Sequence, residues 1–153
     1  MIEQHTINLD GRQFHYAEVH GTGPALVLLH GVTGSHQTFS PILATLAQHA
    51  HVFAPDLRGH NLSSHAARAY RLVDYGLDMA SFLRVVVRRP AIIAGHSLGG
   101  MITIWLAAHA AEWVRAIHLE DPPVYITELS RLQETVYYGM FDGLRTQLRQ
   151  HHA

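Results

Sequence analysis

The stretch from Ala91 to Gly100, A-I-I-A-G-H-S-L-G-G, limits the possible fold more than any other part of the chain. It opens with four small or apolar residues, two of them isoleucines, which predicts a short buried strand. The glycine-rich run after it leads into the apolar segment Leu98 to Ala110, which has the composition of a helix. The pattern therefore places Ser97 on a tight turn between a strand and a helix.

Such a turn requires glycine on both sides of the serine, because a side chain at 95 or 99 would strike the neighbouring strand or helix. Gly95 and Gly99 meet this requirement. The turn would expose the Ser97 hydroxyl above the sheet and aim the Leu98 N–H, at the positive end of a helix, at an oxyanion formed there. This geometry is typical of a nucleophilic serine, although a Gly-x-Ser-x-Gly sequence can also be a purely structural turn.

The rest of the chain alternates strand and helix patterns. Asp10-Gly11 favours the type I′ turn of a hairpin, and the unbroken apolar run Ala25 to Leu29 is typical of a strand buried on both faces. Leu72 to Val86 carries one apolar helical stripe, and the segment from Val124 onward is predicted to start as a helix with a poorly patterned tail. Six strands are predicted, at Ile2–Leu9, Arg12–Val19, Ala25–Leu29, Val52–Pro55, Ala91–Ala94 and Val114–Leu119, with a further helix at Thr38–Gln48.

The composition fits one globular domain and narrows the range of partners. Of 153 residues, 48% are hydrophobic and only 15% charged, which suits a sheet covered by helices. The formal net charge is −1 and the charges do not cluster, so we expect no nucleic-acid or membrane partner. The chain has no cysteine and its first residues lack a basic lead followed by an apolar run, so we expect a cytoplasmic location.

Three stretches together resemble the α/β-hydrolase superfamily in its serine-nucleophile branch: L-L-H-G-V-T-G-S, P-D-L-R-G-H-N-L-S-S and A-G-H-S-L-G-G. The resemblance runs from Ile2 to about Tyr125. It implies a three-layer α/β fold with a mostly parallel sheet and an N-terminal antiparallel hairpin, truncated after strand 6. It also implies two parts, a hydrolase core over residues 1–123 and the start of a helical lid over residues 124–153.

The resemblance assigns roles to individual residues. Ser97 would be the nucleophile, and the N–H groups of Val32 and Leu98 would form the oxyanion hole. His30, Gly31 and His96 would be walls of the site. The family usually has glycine at the position of Asn61, a tolerable change because asparagine also visits left-handed backbone conformations. A serine rather than an aspartate at position 97 argues against the dehalogenase and epoxide-hydrolase branches.

The resemblance predicts that this sequence contains only part of the catalytic triad. In this family the acid and then the histidine follow the serine along the chain, and this chain stops about thirty residues past Asp121. Asp121 lies just after the sixth predicted strand and is a possible acid, with a strand-end turn beside Pro122 as the alternative. None of the 14 histidines is a convincing base, and His151 and His152 fall in a tail that we expect to be frayed.

The resemblance implies a serine hydrolase acting on a carboxylic ester, lactone or similar small acyl substrate, inactive or weak as this chain. A catalytically inert hydrolase-like fragment or binding domain is the alternative. We expect no cofactor and no metal, because no H-x-x-x-H with a nearby carboxylate occurs and His49-x-His51 straddles a helix end and a strand. We also expect self-association through Val114–Leu119, which would be an unprotected sheet edge.

Overall fold

A computed structural model describes residues 1–124, 138–143 and 146 of the chain. Contacts divide the chain into two units, Met1–Pro122 and Pro123–Ala153. In the second unit, residues 138–143 and 146 are helical. Most of the helix expected after Val124, and the tail histidines His151 and His152, lie outside the described residues.

The first unit is built on one six-stranded sheet, and all six strands predicted from the sequence are present. The spatial order is β1-β2-β4-β3-β5-β6. The pairs β1–β2 and β2–β4 are antiparallel, whereas β4, β3, β5 and β6 are parallel to one another. The strands are β1 Glu3–Leu9, β2 Arg12–Val19, β3 Ala25–Leu29, β4 His51–Pro55, β5 Ala91–His96 and β6 Val114–Glu120.

Helices cover the sheet on both sides. The three α-helices are α1 Ser40–Leu46, α2 Leu72–Phe82 and α3 Leu98–His109. A 3-10 turn at His36–Phe39 precedes α1, a π-helical turn at Leu83–Val87 extends α2, and a second 3-10 turn at Ala111–Trp113 follows α3. Within residues 1–124, 138–143 and 146, no helix has the length and apolar character needed to cross a membrane.

The turn between β1 and β2 has the geometry that its sequence predicts. Asp10 has a φ of 50° and Gly11 a φ of 80°, so both central residues are left-handed, as a type I′ turn requires. The Asn8 side chain accepts a hydrogen bond of 3.0 Å from the Gly11 N–H. The two-residue loop sets the register, in which Leu9 faces Arg12 and Glu3 faces Glu18.

Strand alternation sends apolar side chains to both faces of the central strands, and the two faces form two cores. Val27 and Ile93 pack with α2 and α3 residues such as Phe82 and Ile102. On the opposite face, Leu28 and residues of β2 and β4 pack with Leu43 of α1; the buried members are Ala17, Val19, Leu28, Leu43, Ala50, Val52 and Ala54. This arrangement confirms the three-layer α/β fold with a mostly parallel sheet and an antiparallel N-terminal hairpin.

Two local expectations need correction. The helix expected over Thr38–Gln48 starts as a 3-10 turn, and its α-helical part ends at Leu46. Pro41 falls in the first turn of α1, where its missing N–H costs nothing. The turn formers and paired charges from Asp56 to Ser64 predict a surface loop, but this loop begins inside the protein, because Asp56, Leu57 and Arg58 are all buried. Buried hydrogen bonds, described below, compensate for this burial.

The strand β6 forms an edge of the sheet. Among the described residues it pairs with β5 alone, and all of its side chains after Val114 are exposed, with Ile117 at 44% and Leu119 at 37%. Next to this edge, the α1 face of the sheet contains an open groove of about 320 Å³. Its apolar walls come from β3, β5, α1 and the 3-10 turn before α1, namely Leu26, Leu28, Ile92, Ala94, Ile42, Leu46 and Phe39.

We predict that the 153-residue chain self-associates through this edge, because unpaired backbone groups beside apolar side chains promote pairing with another chain. Ile117→Lys should shift the chain toward monomer in sedimentation velocity at micromolar concentration. Leu62→Lys, which changes an equally apolar but loop-borne exposed residue, should leave the association unchanged. A single monomeric species for the unmodified chain would contradict the prediction.

Candidate functional site

The turn between β5 and α3 carries Ser97 in a backbone conformation that few residues adopt. Ser97 has φ 51° and ψ −113°, outside the regions normally allowed for a residue with a side chain. The flanking glycines make the turn possible. A Cβ on Gly95 would strike the Gly99 carbonyl and the Thr103 hydroxyl, and a Cβ on Gly99 would strike Leu29 of β3. The backbone of α3 thus packs directly against the backbones of β5 and β3.

The Ser97 hydroxyl is left unengaged by this turn. The Ser97 N–H donates to the Glu120 carbonyl of β6 over 2.9 Å, and the Ser97 carbonyl accepts from the Met101 N–H over 3.1 Å. The residue is half-buried, and its Oγ makes no hydrogen bond with any residue in the described part of the chain. Backbone contacts therefore fix the position of Ser97 while its oxygen remains available to another molecule.

The loop after β3 approaches Ser97 from the neighbouring strand. A Cβ placed on Gly31 would lie 3.3 Å from the Ser97 Cβ and 2.9 Å from Nδ1 of His96. The loop turns sharply, with the Gly34 N–H donating to the Gly31 carbonyl over 2.9 Å. The N–H groups of Val32 and Leu98 make no hydrogen bond within residues 1–124, 138–143 and 146. Two donors thus remain unused on the loop and the turn that border Ser97.

His30 holds this loop in place through two side-chain hydrogen bonds. It is fully buried, its Nδ1 lies 2.8 Å from the Gly31 carbonyl, and its Nε2 accepts from the Leu57 N–H over 3.0 Å. This pattern fits a neutral ring with its proton on Nδ1. Burial is the main cause that lowers the His30 pKa to about 4, partly opposed by the hydrogen bond to Gly31. His30 therefore acts as a rigid connection between two loops.

Asp56 is a second buried support, joined to three neighbouring segments. One carboxylate oxygen accepts from the His36 N–H over 2.8 Å and faces the His36 ring Nδ1 at 3.0 Å. The other faces Nδ1 of His15 at 3.0 Å and accepts from the Asn61 amide over 2.8 Å. Burial alone would raise the Asp56 pKa, but the hydrogen bonds from His36 and Asn61 outweigh it and hold the pKa below its ordinary value.

Asn61 has a φ of 45°, so it occupies the left-handed conformation anticipated for the residue that replaces the usual glycine. Its side-chain amide also binds Asp56, a contact that glycine could not make. The substitution therefore combines a backbone requirement with an added hydrogen bond.

Arg58 ties the same loop to α2. Its guanidinium donates to both carboxylate oxygens of Asp78, over 2.7 and 2.6 Å, and to the Ala69 carbonyl over 2.7 Å. Both side chains are almost fully buried. The Asp78 hydrogen bonds raise the Arg58 pKa further above its already high value, so the charge is permanent. Each charge is compensated, and removing either partner would leave the other buried and unpaired.

The remaining predicted site residues lie around Ser97 without forming a triad among the described residues. His96 is half-buried and lines the groove beside α1, together with Glu120. Asp121 follows the Glu120 carbonyl that binds Ser97, and it is exposed with a φ of 45°. In the described part of the chain, no imidazole nitrogen is hydrogen-bonded to the Ser97 Oγ and no hydrogen bond reaches the Asp121 carboxylate.

His60 is a site residue that the sequence reasoning did not identify. Its Nε2 lies 2.7 Å from the Val32 carbonyl and its Nδ1 lies 2.9 Å from the Arg58 carbonyl. It therefore joins the loop that carries Val32 to the loop after β4. The turn-forming residues from Asp56 to Ser64 predict a structural turn, and that local pattern does not distinguish His60 from its neighbours.

The chain belongs to the alpha/beta hydrolase fold family, whose profile matches residues 24–153. Among curated proteins it is similar to 2-(acetamidomethylene)succinate hydrolase of Mesorhizobium japonicum, with 35% identity over 129 residues. That match covers 82% of this chain and 46% of the relative. N-formylmaleamate deformylase of Pseudomonas putida is 29% identical over 123 residues, covering 77% of this chain and 44% of the relative.

Solved structures show the same relationship. The crystal structure of E-2-(acetamidomethylene)succinate hydrolase matches with a TM-score of 0.72 and 30% identity, over 76% of this chain and 43% of that chain. An N-formylmaleamic acid deformylase from Pseudomonas putida matches with a TM-score of 0.74 and 27% identity, over 80% of this chain and 48% of that chain. The chain thus spans about half the length of the relatives that it matches.

Gly99→Ala should destabilise the fold strongly, because its Cβ would overlap backbone atoms of β3 that cannot move aside. We expect a loss of about 3 kcal/mol or more in the free energy of unfolding, measured by urea denaturation. Gly139→Ala is the matched control, since no atom of the described residues lies within 4 Å of a Cβ added to this helical glycine. The control should be neutral or slightly stabilising, and equal effects of the two substitutions would contradict the packing argument.

His30 should make the fold less stable in mild acid. With its pKa near 4 in the folded chain and 6.5 as the ordinary value, the unfolded chain binds more protons between these pH values. Stability that is present above pH 6.5 is therefore lost as the pH falls toward 4, by about 2 kcal/mol between pH 7.5 and 5.0. Urea denaturation at both pH values should show a loss smaller by that amount in His30→Gln, and identical pH dependence would contradict this.

Proposed function

We propose that Ser97 is the nucleophile of a hydrolase acting on a carboxylic ester, lactone or similar acyl bond. The observation that carries the proposal is the Ser97 backbone, with φ 51° and ψ −113° at the first turn of α3 and an Oγ unengaged by the described residues. A strained conformation that packing enforces on a reactive residue is typical of functional sites. The family relationship supports the same chemistry.

In the proposed reaction the Ser97 Oγ attacks the acyl carbon and its proton passes to a base. The carbonyl π electrons move onto oxygen, and the N–H groups of Val32 and Leu98 would stabilise the resulting negative charge. Collapse of this intermediate expels the alcohol or amine, which takes up the proton, and leaves an acyl-serine. Water then attacks the acyl-serine by the same route and releases the acid and the free hydroxyl. No cofactor is needed for these steps.

The two N–H groups suit this role because of how they are held. Leu98 is the first residue of α3, so its N–H has no partner inside the helix and lies at the positive end of the helix dipole. Val32 is held by the Gly31–Gly34 turn and by the contact between its carbonyl and His60. Donors fixed in advance stabilise a developing charge without reorganisation.

The proposed reaction needs a base, and the described residues do not provide an identified one. Asp121 is a candidate acid because it follows the strand end that binds the Ser97 N–H, but no described histidine is hydrogen-bonded to the Ser97 Oγ. In subtilisin, removing the base of the serine triad lowers turnover by about 10⁶ and leaves an acceleration of about 10³–10⁴ over water. We therefore expect this chain to be inactive or weak, and an inert hydrolase-like binding domain is the second candidate.

For the substrate, the names of the relatives suggest where to begin. By their names, one acts on 2-(acetamidomethylene)succinate and the other deformylates N-formylmaleamate, two small carboxylates named with an acetamido or a formyl group. We propose that short acyl esters and N-acylated carboxylates of this kind are the first substrates to test. A cytoplasmic location forms part of the proposal, supported by the absence of cysteine, and cell fractionation would test it.

A fluorophosphonate probe tests the state of Ser97 directly. We expect slow labelling or none, because a serine without a base is a weak nucleophile, and any labelling should disappear in Ser97→Ala. Ser40→Ala is the matched control, since Ser40 is an exposed serine in ordinary helical backbone and should not affect the signal. Intact-protein mass spectrometry over time gives the labelling rate.

Labelling at the rate of an active serine hydrolase, abolished by Ser97→Ala, would show that the chain contains an effective base and would overturn the inert alternative. Labelling that persists in Ser97→Ala would contradict the assignment of the nucleophile. Turnover of acyl esters or N-acylated carboxylates, lost in Ser97→Ala and retained in Ser40→Ala, would identify the substrate class.

A further inference from the structure

Strand register gathers three histidines and two glutamates at one corner of the sheet. Residues two apart on a strand share a face, and residues paired across strands are neighbours. Glu3 faces Glu18 across β1 and β2, and Val19 faces Val52 across β2 and β4, which brings His20 opposite His51. We call this group the amino-edge cluster; its members are Glu3, His5, Glu18, His20 and His51.

Glu18 lies at the centre of the amino-edge cluster. Its Oε1 is 2.7 Å from Nε2 of His51 and 3.7 Å from Nε2 of His20. Its Oε2 is 3.4 Å from Nε2 of His5. The ligand atoms of Glu18, His20 and His51 all lie within 4.8 Å of one another. Glu18 and His51 are largely buried, whereas His20 is mostly exposed and free to adjust.

Two features of the amino-edge cluster are unfavourable as they stand. Glu3 and Glu18 are directly opposed across an antiparallel pair, and like charges in this position repel. The Nε2 atom of His5 is buried and has no hydrogen-bond partner among the described residues, although it lies near both carboxylates. A cation at the centre of the cluster would neutralise the opposed carboxylates and could accept a ligand from His5.

We propose that Glu18, His20 and His51 form a binding site for a divalent transition-metal ion such as Zn²⁺ or Co²⁺. Two imidazole nitrogens and a carboxylate are a ligand set that these ions accept, with a fourth position left for water or His5. Tetrahedral ligands about 2.0–2.2 Å from zinc lie about 3.3 Å apart, so the present spacing requires shifts of only about 1 Å. The exposed His20 ring can supply most of that movement.

One neighbouring group opposes the ion. The Arg89 guanidinium lies 3.4 Å from Nδ1 of His51 and donates toward it, which leaves the His51 proton on Nε2 facing Glu18. Metal binding at Nε2 must displace that proton to Nδ1, where it would face the Arg89 donor. Arg89 therefore competes with the ion through both its charge and its hydrogen bond.

The amino-edge cluster is separate from Ser97. His51 is level with Ala91 at the start of β5, and Ser97 follows the end of β5, so the two lie at opposite ends of the parallel strands, about 20 Å apart along the strand direction. A second set of potential ligands, His15, His36 and Asp56, is buried, and hydrogen bonds already satisfy the Asp56 oxygens. The amino-edge cluster is the better candidate, although the sequence spacing had led us to expect no metal.

The test is a metal titration of the full chain, with Zn²⁺ affinity measured by competition against a chromophoric chelator. Zn²⁺ or Co²⁺ at about 100 times its Kd should raise the melting temperature by about 5–10 °C, whereas Mg²⁺ should not. Glu18→Gln and His51→Gln should each weaken Zn²⁺ binding at least about tenfold. Both variants should fold without metal, since Glu18→Gln removes the repulsion from Glu3 and His51→Gln keeps a donor for Glu18.

His49→Gln is the matched control, because His49 is an exposed histidine two residues from His51, and it should bind Zn²⁺ as the unmodified chain does. Arg89→Gln should raise the affinity severalfold by removing the competing charge. Affinity unchanged in Glu18→Gln and His51→Gln would place the ion at other histidines and overturn the proposal. Equal or lower affinity in Arg89→Gln would contradict the assignment of His51 as a ligand.

Discussion

The packing of bare backbone at the β5–α3 turn is the constraint on which the rest of the structure depends. Gly95 meets the first turn of α3 and Gly99 meets β3, and neither position has space for a methyl group. This packing fixes the distance of the helix from the sheet and forces Ser97 into a left-handed conformation. Ser97 therefore cannot adopt the helical backbone conformation of the residues that follow it. The contacts that stabilise the fold thus also fix the position of its hydroxyl.

Around this turn, buried polar side chains hold the loops in place through hydrogen bonds, which hydrophobic packing cannot provide. His30 joins the loop after β3 to the loop after β4, and Asp56 joins the latter loop to β2 and to the turn before α1. Arg58 connects it to α2 through Asp78. Loops must satisfy their backbone groups without a ladder, and these side chains provide the partners. The result is a hydrogen-bonded network that holds the loops next to Val32 and Ser97.

The two ends of the parallel strands carry different chemical groups. At the carboxyl ends, the Ser97 turn and the Gly31 loop place two N–H groups near the Ser97 hydroxyl, and none of these groups is hydrogen-bonded within the described part of the chain. At the amino ends, carboxylates and imidazoles from three strands converge around Glu18. Strand direction explains the separation, because the β3 and β5 ends that carry glycine-rich turns are remote from the β4 start that carries His51. One scaffold thus keeps the proposed acyl-transfer site and the proposed cation site apart.

Most of the fold could be read from local patterns in the sequence. The Asp10-Gly11 turn, the apolar runs of β3 and β5 and the glycines beside Ser97 each specify their own local geometry, because each follows from sterics or from periodic burial. The same is true of Asn61, whose left-handed backbone could be anticipated from residue type. Tertiary structure alone decided which polar side chains meet. His60 reaches Val32 and Glu18 meets His51 only through strand order and register, which bring together residues tens of positions apart, and no local pattern encodes such pairings.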